Sequence, residues 1–232
     1  GVTKQLCNRL LEPFMWTTML ITGSKEGWQN FFNLRCPSYK LIGLGKENVK
    51  SRKEWLEKMQ FSSALHPSMY PKTDVEWLQI NRGQAEIHMM ELSEKIYDSM
   101  NESTPKQLQA GEWHIPFVDK IDLSNFNFGM EVQSLTLQRH TREITKVKIS
   151  VASAARTSYT VVGEEKEMDY KKMIELHDRL ISQNPPHSSP MEHCCICVAD
   201  EDYNKSFKGE EKGWFRNYKG FKSYRQIIEE SK

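Results

Sequence analysis

Residues 170–199, YKKMIELHDRLISQNPPHSSPMEHCCICVA, hold three successive patterns. Tyr170, Met173, Ile174, His177, Leu180 and Ile181 recur at helical spacing, and the periodicity predicts a helix over Glu167–Gln183. Asn184-Pro185-Pro186 stops it, because proline can neither donate to a helix nor follow a helical residue without clash. Cys194–Ala199 is an apolar run of strand length. Between helix and strand lies His187-Ser188-Ser189-Pro190-Met191-Glu192-His193, two imidazoles, two hydroxyls and a carboxylate around one proline. A loop between a helix and a buried strand can face a ligand while its scaffold stays still. Ser189 then offers a hydroxyl, His187 an imidazole, and Glu192 a carboxylate that orients a neighbour or relays a proton. Spacing alone favours the plainer reading, a proline turn whose polar groups cap the preceding helix.

Outward from this stretch, the other elements alternate without βαβ order. Residues 3–18 read as an amphipathic helix through Leu6, Leu10 and Phe14, interrupted near Pro13. Glu26–Arg35 reads as a second helix with Trp28, Phe31 and Phe32 on its core side. Residues 37–80 form a separate excursion in which Ser51-Arg52-Lys53-Glu54 is a capping box. Gln84–Met100 carries Met89, Leu92, Ile96 and Met100 at helical spacing. Residues 101–145 read as polar loop, and Lys146–Val151 alternates like a strand, with Val147, Ile149 and Val151 on one face. The expectation is α+β: helices packed on a small, mostly antiparallel sheet, in one domain over 1–232 with 37–80 as an insertion.

Bulk properties bound the possibilities. The chain has 232 residues, enough for a core without disulfide staples, and a net charge of +1. That balance argues against a nucleic-acid or membrane binder over its whole surface. No apolar run reaches the ~18 residues that span a bilayer. Gly1-Val2-Thr3-Lys4 lacks the apolar segment of a secretory leader. Five cysteines, three of them crowded at Cys194, Cys195 and Cys197, do not form a secreted disulfide pattern, so a reducing cytoplasm is expected. Gly1 reads either as the residue after a removed Met or as a point within a longer polypeptide.

Other constellations carry two readings each. His187, His193, Cys194, Cys195 and Cys197 supply zinc-type ligands, but adjacent cysteines on a strand point to opposite faces, and no metal is expected. Arg156 and Ser158, placed just after the strand expected at 146–151, suit a phosphate or a surface ion pair equally. Arg9, Asn30 and Arg35 suit a phosphate or pyrimidine edge, or plain solvation. Residues 205–225 interleave Lys and Arg with Trp214, Phe215, Tyr218, Phe221 and Tyr224; Glu210-Glu211 and the near-neutral chain favour packed aromatics over a nucleic-acid surface. Arg139-His140-Thr141-Arg142 is assigned no site role.

Four blocks together resemble the flavin-dependent thymidylate synthases: Asn8-Arg9-Leu10-Leu11-Glu12-Pro13 with Trp16-Thr17; Asn30-Phe31-Phe32-Asn33-Leu34-Arg35, followed after a gap by Gln84-Ala85-Glu86-Ile87; Ala154–Tyr159; and His187–His193. They cover about a third of the chain. The resemblance implies that family's fold and the reductive methylation of deoxyuridylate (dUMP) to thymidylate, with methylenetetrahydrofolate giving the carbon and FAD, reduced by NADPH, giving the hydride. It implies that Arg9 and Arg35 contact the nucleotide and that Asn30, Ser158, His187 and Ser189 line the flavin. His187 and Arg35 would be the catalytic residues; Ser24 stands where the family often has Asn near the flavin. Block order matches a permuted, phage-like branch, which implies a phage-infected cell as the setting. The signature Arg-His-Arg-x-x-Ser-x-Asn-x-x-Ser-x-Arg-Tyr is missing, and 37–80 lengthens a link that is short in the family. A second polypeptide carrying the signature is therefore expected, within a tetramer-like homo- or hetero-oligomer. Two alternatives stay open: a catalytically silent binding or assembly module of the same fold, and a pyrimidine nucleotide hydroxymethylase.

Overall fold

The computed structural model describes residues 18–41, 48–59, 70–128, 135–157, 169–199 and 212–231. The helix expected over 3–18 and Arg9 fall almost wholly outside these, as does Ser158. The chain divides into two compact units, Gly23–Gln107 and Gly1–Thr22 with Leu108–Lys232.

In the Gly23–Gln107 unit, helix α1 (Lys25–Arg35) packs on the long helix α4 (Ile87–Glu102). Trp28 stacks on Phe32, and Phe32 meets Tyr97 of α4 edge-on at 5.2 Å. Between them in sequence come the short antiparallel pair β1 (Tyr39–Lys40) and β2 (Asn48–Val49), then α2 (Arg52–Met59) and α3 (Asp74–Ile80). Tyr39, Leu41, Val49, Trp55, Met59 and Trp77 form one buried cluster with Tyr70 against it. The described residues of 37–80 thus have a core of their own, in one compact unit with α1 and α4.

Local chemistry starts each of these helices. Ser51 Oγ accepts from the Glu54 N–H at 3.1 Å, as the capping box predicts, and Thr73 does the same for Glu76. The helix expected from Gln84 begins at Ile87, because the Glu86 carboxylate accepts from the N–H groups of His88 and Met89 and is itself the cap. At Gly83 a Cβ would come within 2.5 Å of the Cys36 carbonyl oxygen, so only glycine fits.

In the second unit, β3 (Trp113–His114), β4 (Cys195–Cys197) and β7 (Phe221–Ser223) form an antiparallel sheet with β4 central. A hairpin, β5 (Trp214–Phe215) and β6 (Tyr218–Lys219), turns through Arg216 at φ 56°, the left-handed conformation tight hairpins use. Helices α5 (Leu135–Arg156) and α6 (Tyr170–Ser182) pack along one another, and α7 (Tyr224–Glu230) follows β7. Helices with small antiparallel sheets match the α+β expectation.

One expectation fails here. Lys146–Val151 is not a strand; it lies within the 22-residue helix α5, which also takes the last residues of the expected loop. Its alternation has a helical cause. Two residues along a helix turn about 200°, so Val147 and Val151 share one side while Ile149 faces nearly the other way. Val147 and Val151 pack with Met191, Cys194 and Tyr224, while Ile149 and Ala152 pack with Ile121, Leu123 and Met173. A helix buried on two sides mimics a two-residue period over a short window.

Candidate functional site

The loop between α6 and β4 is built from its apolar residues. After Ser182 the chain leaves the helix, and the His187 N–H donates back to the Leu180 carbonyl at 3.0 Å. A single 3-10 turn, Ser189–Glu192, follows with Pro190 near its start. Pro190 and Met191 are buried, and Met191, at 1 % exposure, enters the Val147/Val151/Cys194/Tyr224 cluster. Burial of such a side chain is worth about 1.5–3 kcal/mol, which is what pins the turn to α5. The polar neighbours are left outward: His187 and Ser189 are exposed, and Glu192 and His193 half-buried.

Two of these groups are fixed from elsewhere in the unit. Glu192 Oε1 accepts from the Arg225 guanidinium of α7 at 2.6 Å, and its backbone carbonyl accepts from the Tyr218 hydroxyl at 2.7 Å. His193 Nδ1 lies 3.1 Å from Thr22 Oγ1. Burial holds the His193 pKa below the usual imidazole value, against the pull of neighbouring Glu192 and with the help of His114. His114 is brought beside the loop because β3 pairs it with Cys195.

The cysteines of this region turn away from one another. Cys194 Sγ faces α5, 3.4 Å from Ser150 Oγ, whereas Cys195 Sγ lies 3.5 Å from the Glu192 carbonyl. Burial pushes each thiol up to about 12, so both are protonated at neutral pH. Among the described residues no group of three or more His, Cys, Asp or Glu side chains converges as metal ligands do.

The other expected site residues are scattered. Arg156 is exposed and ends α5, with its guanidinium 3.6 Å from Met173 Sδ; it closes a helix rather than following the expected strand. Since α5 and α6 run antiparallel (Lys148 meets Asp178, Arg156 meets Met173), Arg156 stands beside the start of α6 and the loop leaves from its end. Five residues separate Arg156 from the loop's contact at Val151, roughly 7.5 Å along the axis. Arg156 and the loop thus meet α5 at different points along its length. Asn30 and Arg35 are exposed on α1 of the other unit. Ser24, next to that helix's start, is 4 % exposed, and its Oγ has no hydrogen-bond partner.

Arg225 was hidden in sequence because it is 33 residues from Glu192 and reads as one more cation of the tail. In the structure Arg216, Lys222 and Arg225 each pair with an acid, namely Glu229, Glu230, and Glu192 with Glu229. Phe215, Tyr218 and Tyr224 are buried, so the described part of the tail packs its aromatics. The Gly23–Gln107 unit has a cleft of about 280 Å³ lined by Tyr39, Arg52, Trp77, Glu94 and others. There the Tyr39 hydroxyl donates to Glu94 at 3.1 Å and the Arg52 backbone N–H at 2.5 Å, and burial raises the Glu94 pKa.

No family model, curated protein or solved structure matches the chain. No described helix is long and apolar enough to cross a membrane.

Proposed function

We propose that this chain is a subunit of a flavin-dependent thymidylate synthase, with that family's fold, which methylates deoxyuridylate using methylenetetrahydrofolate, FAD and NADPH. The observation that carries the reading is the build of the His187–His193 loop. Pro190 and Met191 are sunk into the core, His187 and Ser189 face outward, and Arg225 grips Glu192. The guanidinium that meets the loop's carboxylate comes from α7, outside the helix and the strand that flank the loop.

The donor set suits the ligands. FAD carries phosphates and ring carbonyls, and an imidazole, a hydroxyl and a nearby guanidinium are the donors such acceptors need. When bound, the flavin supplies the hydride; the chain's residues bind, orient and exclude water. In this reading His187 and Ser189 hold the flavin with Asn30 and Ser158, Arg9 and Arg35 hold the nucleotide phosphate by their rigid forks, and His187 and Arg35 lie nearest the reacting atoms. The signature motif, which these 232 residues lack, is supplied from outside them, on a second polypeptide in the split arrangement, within a tetramer-like complex in the cytoplasm of a phage-infected cell.

The test is the visible absorption spectrum of natively purified material, with the intact mass of every polypeptide present. Flavin bands with a second chain support a synthase completed in trans. Flavin bands with this chain alone uphold the enzyme and overturn the split arrangement. A colourless chain that takes up no added FAD, alone or with its co-purifying polypeptides, overturns the reading.

A further inference from the structure

We infer that His177 is a positioning residue for the His187–His193 loop, acting through Tyr224 to set the guanidinium of Arg225 on Glu192. The inference rests on the reading of that loop as a ligand site.

The contacts form a directed chain. His177, in the middle of α6, is 1 % exposed. Its Nδ1 lies 2.7 Å from Asp178 Oδ1; a carboxylate only accepts, so Nδ1 carries the proton. Nε2 is then the bare acceptor, and the Tyr224 hydroxyl, 3.3 Å away, donates to it. The two rings stack at 5.8 Å and 26°. Lys148 of α5 holds the same Asp178 oxygen at 3.0 Å, which fixes the carboxylate that fixes the tautomer. Burial lowers the His177 pKa, so the ring stays neutral and keeps its acceptor.

Tyr224 opens α7, and its N–H donates to the Cys194 carbonyl at 2.8 Å. The next residue is Arg225, which reaches Glu192 at 2.6 Å and, through Nε, Glu229 at 2.8 Å. Adjacent residues of α7 thus grip α6 at His177 and the loop that follows α6 at Glu192. The entry angle of α7 is set at Tyr224, and that angle decides where Arg225 points. Apolar side chains would fill the space of His177 and the Tyr224 hydroxyl without desolvating polar groups; they would not supply direction.

The test uses the full ¹⁵N-labelled chain and follows the guanidinium resonances of Arg225, assigned by an Arg225→Lys spectrum. In Tyr224→Phe, which keeps the stacked ring, the Arg225 guanidinium protons are expected to exchange faster, by about tenfold, while the melt stays cooperative. His177→Leu is expected to do the same. His177→Gln, whose amide oxygen can stand for Nε2, is expected to restore the slow exchange. An Arg225 signal unchanged in Tyr224→Phe overturns the inference whether or not the His177 variants fold, and so does a His177→Gln spectrum identical to that of His177→Leu. FAD titration separates this from the synthase reading. An Arg225 response in Tyr224→Phe together with a wild-type chain that binds no FAD upholds the positioning and fails the synthase. FAD binding that is equally tight in wild type and Tyr224→Phe overturns the inference, since affinity should fall about tenfold.

Discussion

Glu192 is held by one charged partner across 33 residues of sequence, and that pair is the residue-scale centre of the loop. Both side chains are partly exposed, at 23 % for Glu192 and 35 % for Arg225, so water screens the attraction. Arg225 also keeps Glu229 when Glu192 is neutralised. Glu192→Gln is therefore expected to cost about 1 kcal/mol or less in chemical denaturation, with the slope of the transition unchanged. A loss several times larger would mean the pair is far less solvated than its exposure implies.

At the scale of elements, the 3-10 turn is fastened by one side chain. Met191 fills a site walled by Val147, Val151, Cys194 and Tyr224 from α5, the residue before β4, and α7. Met191→Ala is expected to destabilise by about 2–5 kcal/mol, because the surrounding elements close only partly over the space. Urea titration measures it, and protease sensitivity at 183–193 should rise with it. Helix α5 is the element that carries both clusters of this unit, Ile149 and Ala152 on one side and Val147 and Val151 on the other.

At the scale of the whole molecule, pH acts through buried imidazoles. Burial lowers the pKa of His177 below its ordinary value of 6.5, so the folded chain resists a proton that the unfolded chain accepts. The neutral ring's stabilisation is fully present above pH 6.5 and is lost as pH falls from there through the depressed folded value. His193 shifts the same way and adds to the same window. Melting temperature followed from pH 8 down to pH 5 should therefore fall more steeply in wild type than in His177→Gln. Parallel slopes would show that His177 does not titrate between the two states.

Much of the fold was legible in the chain because local rules governed it. Helices α1, α2, α4 and α6, the stop at Asn184-Pro185-Pro186 and the strand at Cys195–Cys197 were each marked by periodicity, caps or proline, which act within a few residues. The place of His187–His193 between a helix and a strand was legible for the same reason, since its proline and polar residues mark a turn locally, whereas the burial of Pro190 and Met191 came from packing. Tertiary structure decided what those groups meet. It made 146–151 helical, because burial on two sides erases the distinction that periodicity relies on. It gathered the described residues of 37–80 into a compact unit with α1 and α4, through a core of Tyr39, Trp55 and Trp77 with Leu41, Val49 and Met59, which no local pattern links. And it chose Arg225 for Glu192 and Tyr224 for His177, since pairing over 33 and 47 residues is set by how α7 docks on the sheet and helices, not by spacing.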